Sequence, residues 1–105
     1  NNLYFSGIGG IGMSAVSKFL KEKGKNIYGS DLQKTEITTS LESIGVNVHY
    51  SQISENIDDK YDLIIVSPAI PKTNPEYIKA MELNKIKLDF NSPSIRVLKE
   101  RQYIT

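Results

Sequence analysis

The clearest chemistry lies near the amino end, in Gly7-Ile8-Gly9-Gly10-Ile11-Gly12. This stretch contains Gly-x-Gly-x-x-Gly with one added glycine. It stands between a short apolar run, Leu3-Tyr4-Phe5, and a segment of helical period, the context in which such a turn cradles a phosphate. There Gly7 permits the tight turn, Gly9 lets backbone approach the phosphate with no Cβ between them, and Gly12 lets the helix pack close to the strand. The N–H groups that open the helix then face an anion, with about half a positive charge from the helix dipole. The alternative is a glycine-rich connection that binds nothing. The acid that follows tips the balance toward phosphate. Asp31 comes 19 residues after Gly12, and a dinucleotide fold places its ribose-binding acid about 20 residues on, at the end of the second strand. Asp31 is read as an acceptor for ribose hydroxyls or a base N–H, against the alternative of an aspartate that caps its own turn. Ser67-Pro68-Ala69-Ile70-Pro71 follows the most apolar strand. Ligands of open α/β sheets lie beyond the strand carboxyl ends at the switch point, so this loop faces the glycine turn. Ser67 is offered as a ligand contact, with equal weight on a stiff connection. His49 is the single histidine. No carboxylate and nucleophile accompany it in sequence, so no catalytic role is assigned.

The elements that must position these residues follow from periodicity. Leu3-Tyr4-Phe5 reads as a buried strand. Met13, Val16, Phe19 and Leu20 mark an amphipathic helix closed by Gly24. Ile27-Tyr28-Gly29 is a second strand. Ile37, Leu41 and Ile44 mark a second helix, begun near Thr35 and stopped by Gly45. Val46-Asn47-Val48 is a third strand. Leu63-Ile64-Ile65-Val66, apolar on both faces, is a central parallel strand. Asn74-Pro75 starts a helix as N-cap and first-turn proline, with Tyr77, Ile78 and Met81 as its core face. Ile86-Lys87-Leu88 is a fifth strand, and Ser92-Pro93 opens a further helix through Ile95 and Leu98. Tyr4, Phe5, Phe19 and Tyr28 are assigned to the core. Alternating strands and helices predict an α/β fold, a Rossmann-like open parallel sheet of five strands with helices on both faces, most economically in the order 3-2-1-4-5.

Composition narrows the function classes. The chain has 105 residues, with 13 Lys plus Arg against 12 Asp plus Glu, a formal charge of +1. One domain and one core fit that length. Near-neutral charge gives no support for nucleic acid or an anionic membrane as partner. The absence of cysteine from the sequence excludes disulfides, thiolate metal sites and thiol catalysis. No apolar run approaches the roughly 20 residues of a membrane span, and no secretory leader pattern is seen. A cytoplasmic domain without a metal site is expected.

Three blocks together carry a family resemblance. Tyr4-Phe5-Ser6-Gly7-Ile8-Gly9-Gly10-Ile11-Gly12-Met13-Ser14 resembles the amino-terminal signature of the Mur ligases of peptidoglycan synthesis, in the branch that adds L-alanine to UDP-N-acetylmuramate. Gly29-Ser30-Asp31 resembles that family's next block. Ser67-Pro68-Ala69-Ile70-Pro71 with Asn74-Pro75-Glu76 resembles its third. The resemblance runs from about Leu3 to Thr105. It implies a Rossmann-like first domain that holds the UDP half of UDP-N-acetylmuramate and not NAD. The turn of Gly9, Gly10, Ile11, Gly12, Met13 and Ser14 would receive the diphosphate, and Gly7 would also belong to the UDP site. Ser30, Asp31 and Leu32 would lie beside the uridine, with Ser67, Pro68, Ala69 and Ile70 on the far wall. It also implies a central ATP-binding domain and a third domain outside these residues, the former starting after a strand such as Tyr103-Ile104-Thr105 begins. ATP and magnesium would act there, phosphorylating the muramoyl carboxylate for attack by L-alanine. The chain contains no Gly-x-x-x-x-Gly-Lys-Ser/Thr. On this reading residues 1–105 form one UDP-binding domain, supply no catalytic residue and are inactive alone. Two alternatives stay open on the residues themselves: an NAD-binding module of a dehydrogenase or redox-sensing regulator, and an interaction domain that keeps the fold without a ligand.

Overall fold

The computed structural model describes residues 2–83 and the strand at 86–89. Chain order is β1 (Asn2–Ser6), α1 (Ile11–Glu22), β2 (Asn26–Ser30), α2 (Glu36–Ser43), β3 (Asn47–His49), a 3-10 turn (Ser54–Asn56), β4 (Leu63–Val66), α3 (Pro75–Glu82) and β5 (Ile86–Asp89). The expected helix through Ile95 and Leu98, and the strand start at Tyr103, lie outside the described residues. All recorded pairings are parallel: Tyr4 stands opposite Tyr28 on one side and Ile64 on the other, and Tyr28 opposite Asn47. β5 pairs with β4 at the sheet's edge, giving β3-β2-β1-β4-β5. The predicted α/β class and parallel sheet are what the chain forms.

Strand side chains alternate between faces, and the core divides accordingly. Phe5 and Ile65 point toward α1 and α2, where Ile8, Met13, Val16, Leu20, Ile27, Leu41 and Val46 join them. Tyr4, Ile64 and Val66 point to the opposite face, with Ile57, Tyr61 and Ala80. Three tyrosines edge together there: the Tyr61 ring centroid is 5.0 Å from Tyr4 and 5.2 Å from Tyr28.

Local signals explain the helix limits. Thr35 and Thr38 form a reciprocal capping box at the start of α2, which satisfies donors the helix leaves free. Asn74 Oδ1 accepts from the Glu76 N–H at 2.9 Å, with Pro75 in the first turn. Gly24 and Gly45 close the first two helices at φ +89° and +94°.

Two core assignments need correction. Phe19 is half-buried and joins neither cluster, whereas Tyr28, also half-buried, packs against the core at its margin; a lysine ammonium lies over each ring, Lys23 and Lys60 respectively. Ile78 and Met81 are 47% and 54% exposed, so they do not form the core face of α3. Its buried positions are Glu76 and Ala80. The apolar periodicity misleads because the inward side of the first turn belongs to a hydrogen-bonded carboxylate.

Candidate functional site

β1 ends in Ser6 and the chain turns at Gly7, φ +83°. Only glycine adopts that backbone without strain, and an added Cβ would lie 2.8 Å from Ser67 Cβ. The Gly7 and Ile8 N–H groups both donate to the Ser30 carbonyl, at 2.9 and 2.8 Å. The turn is thereby fastened to the end of β2. Ile8, fully buried, packs over Gly29, where an added Cβ would meet Phe5 O at 2.6 Å and Ile8 Cδ1 at 2.7 Å. The glycine that permits close packing is therefore Gly29, whereas Gly12 sits exposed in the first turn of α1. Gly9 has a packing reason beside the expected one. A Cβ there would fall 2.6 Å from Asp31 Oδ2 and 3.2 Å from Thr38 Cγ2. Asp31 Oδ2 accepts the Gly9 N–H at 2.9 Å, and Oδ1 accepts from the Gln33 N–H at 3.2 Å.

Beyond the ends of β1, β2 and β4 opens a crevice of about 450 Å³. Of the sequence-predicted residues, Gly7, Gly9, Gly10, Asp31, Leu32, Ser67, Ala69 and Ile70 line it. Gln33, Thr35 and Gln52 line it too, and sequence reasoning had not chosen them. α1 begins at the crevice edge with Gly10 as N-cap, no side-chain cap and no acid in its first turn, so the positive end of the helix is left for another anion. Ile11 is exposed at that edge. The other predicted residues lie elsewhere. Met13 is in the core, 2% exposed. Ser14 lines a separate hollow between α1 and α2 and donates to Ile11 O at 3.0 Å. Pro68 is exposed outside the lining. Ser67 Oγ accepts from the Ala69 N–H at 3.2 Å, which shapes the far wall. His49 is exposed, and its carbonyl holds the Asp31 N–H at 2.9 Å. No group of three His, Cys, Asp or Glu suited to a metal occurs among the described residues.

Ser30 is fully buried and turns away from the crevice. Its hydroxyl donates to Glu76 Oε1 at 2.6 Å. Ser6 Oγ reaches the same oxygen at 2.8 Å; Tyr4 Oη and Asn56 Nδ2 donate to Oε2, each at 2.7 Å. Four neutral donors thus hold a carboxylate that is 1% exposed. Burial, then the Glu76 charge, pushes the Tyr4 phenol far above its ordinary range. The signal that would have found Glu76 is positional: it is the first-turn acid of a helix whose N-cap follows the strand-four loop.

Known proteins resemble this chain over most of its length. A family model described as "Mur ligase family, catalytic domain" matches residues 2–90. A UDP-N-acetylmuramate–L-alanine ligase from Campylobacter jejuni is 52% identical over 82 residues, covering 78% of this chain and 19% of the relative. One from Clostridium kluyveri is 46% identical over 82 residues, covering 78% and 18%. The chain thus spans about a fifth of these relatives' length. The crystal structure of a UDP-N-acetylmuramate-alanine ligase from Thermotoga maritima superposes with a TM-score of 0.85 at 33% identity, over 96% of this chain and 23% of that one.

Proposed function

This chain belongs to the Mur ligase family, and from that premise we propose that it is the first, UDP-N-acetylmuramate-binding domain of a ligase that adds L-alanine to that nucleotide in peptidoglycan synthesis. The observation that carries the reading is the crevice. Residues of all three sequence blocks meet there, beyond the carboxyl ends of adjoining parallel strands, where open α/β sheets hold their ligands. The uncapped start of α1 supplies backbone donors for the diphosphate. Asp31 and Leu32 form the side given to the uridine, and Ser67, Ala69 and Ile70 the opposite wall. Among the described residues no lysine, arginine or histidine lines the crevice. What these residues offer the diphosphate is N–H groups and a helix dipole. The reading takes the five-stranded order 3-2-1-4-5 as the domain's own, and a cytoplasmic setting as that of its substrate.

ATP and magnesium do not fit the residues present. The sequence lacks a phosphate-loop lysine motif, and the described residues gather no metal-ligand cluster. Their site is assigned to other domains of the whole ligase, as is that of L-alanine. The present residues bind and orient the nucleotide, and the chain alone is expected to turn over no ATP.

The test is an NMR titration of the chain with UDP, UDP-N-acetylmuramate and NAD. UDP is expected to shift the amides of Gly9, Gly10, Ile11 and Gly12, with a Kd on the order of 0.1–1 mM. NAD is expected to leave them unmoved. Shifts with NAD alone would return the chain to the dinucleotide-binding alternative.

A further inference from the structure

Glu76 lines no part of the crevice, yet its bonds converge on it. Ser6 and Ser30 are the last residues of β1 and β2, and Gly7 and Asp31 follow them directly. Both hydroxyls donate to Glu76 Oε1. The Ser30 carbonyl holds the Gly7 and Ile8 N–H groups. The Ser30 hydroxyl also accepts from Gln52 Nε2 at 3.4 Å, and Gln52 lines the crevice. Gln52 Oε1 accepts from Asn74 Nδ2 at 3.0 Å, and Asn74 Oδ1 accepts from the Glu76 N–H at 2.9 Å. The circuit closes on Glu76 itself. We propose that Glu76 is a positioning residue for the nucleotide crevice, fixing the glycine turn through Ser30 and the crevice wall through Gln52. The inference rests on the ligand reading above for its functional half and on this circuit for its structural half.

The chemistry of the carboxylate makes the proposal specific. Its two oxygens accept four bonds and donate none. Asn56 Nδ2 is a donor only, and its amide is also held by the Ser51 carbonyl at 2.9 Å. In Glu76→Gln the Oε2 position must therefore remain an oxygen. The new NH₂ falls against Ser6 and Ser30, whose hydroxyls must turn from donors into acceptors. The disturbance is directed at the strand ends that carry the crevice. Tyr4→Phe removes a donor from the other oxygen and leaves the Ser6 and Ser30 bonds intact, so it is the control for lost stability.

Hydrogen exchange and UDP binding are measured on wild type, Glu76→Gln and Tyr4→Phe. Glu76→Gln is expected to lower protection of the Gly7 and Ile8 amides more than that of the remaining sheet amides. It should weaken UDP binding about tenfold, the scale of one charged hydrogen bond. Tyr4→Phe should lower protection throughout the sheet evenly and change UDP affinity less than about twofold. Wild-type protection at Gly7 and Ile8 in Glu76→Gln, with unchanged UDP affinity, overturns the proposal. So does a Tyr4→Phe variant that matches Glu76→Gln in both readouts. If Glu76→Gln does not fold, Ser30→Ala takes its place with the same two expectations and the same overturning result. If wild type binds no UDP, the ligand reading fails, and local loss of protection at Gly7 and Ile8 alone decides whether Glu76 positions the turn.

Discussion

Asp31 and Gly9 define each other. The carboxylate occupies the space that a Gly9 side chain would need, and its Oδ2 accepts the Gly9 N–H at 2.9 Å. The sequence marks both residues, but by spacing alone each points outward, to a phosphate and a ribose. Only the fold shows that the two first meet one another. Asp31→Ala should cost about 2 kcal/mol, as the charged hydrogen bonds from the Gly9 and Gln33 N–H groups are both lost. Gly9→Ala should cost about 2 kcal/mol, because the new methyl collides with a short side chain that has little room to yield. The double variant should cost less than their sum by about 1 kcal/mol, since removing the carboxylate removes the collision. Urea unfolding of the four proteins measures this coupling. Strict additivity would mean that Gly9 is glycine for a reason other than Asp31.

Gly29 shows the same dependence between elements. It lies in β2, and the absence of its side chain lets Ile8 settle from the glycine turn onto the sheet. Backbone at Phe5 O stands 2.6 Å from the added Cβ, and a carbonyl within a parallel ladder cannot rotate aside. Gly29→Ala should therefore destabilise by about 3 kcal/mol, at the upper end of ordinary overpacking, and lower the urea midpoint without changing the slope. A variant within 0.5 kcal/mol of wild type, roughly the scatter of a neutral surface change, would show that the turn shifts freely. Helices and strands were largely legible because their signals are local: Thr35 and Asn74 cap, Gly24 and Gly45 terminate, and Leu63 to Val66 is apolar on both faces. α3 was legible in position but not in orientation. Ile78 and Met81 look like a core face until Ser6, Ser30, Tyr4 and Asn56 are seen to draw Glu76 inward. Those partners come from three distant stretches of chain, and no window of sequence holds them together.

At the scale of the whole molecule, the parallel α/β sheet was readable because alternation of element types admits few topologies. The crevice was readable in outline because the switch point follows from that topology. What spacing does not encode is the polar layer beneath it, where a tyrosine hydroxyl meets a buried carboxylate inside the tyrosine-lined face of the core. That layer gives the fold a pH dependence. Burial, then the Glu76 charge, raises the Tyr4 phenol well above its ordinary 10.0. Burial, then Asp58, raises Tyr61 from the same value. Below about pH 10 both phenols keep their protons in the folded and unfolded chain alike, and they add no slope. Above it the unfolded chain releases protons that the native chain retains. The unfolded state then binds fewer protons, so stability falls as pH rises through that window. Wild type should hold a steady urea midpoint from about pH 7 to about pH 9 and lose it steeply above about pH 10. Tyr4→Phe should start lower, because Glu76 Oε2 keeps only Asn56, and then decline less steeply, because one raised phenol is gone. The difference in slope between the two proteins isolates Tyr4 from every other group that titrates in alkali. Parallel curves would mean that the native fold yields to the Tyr4 phenolate, and that the Tyr4–Glu76 contact is looser than its 2.7 Å separation describes.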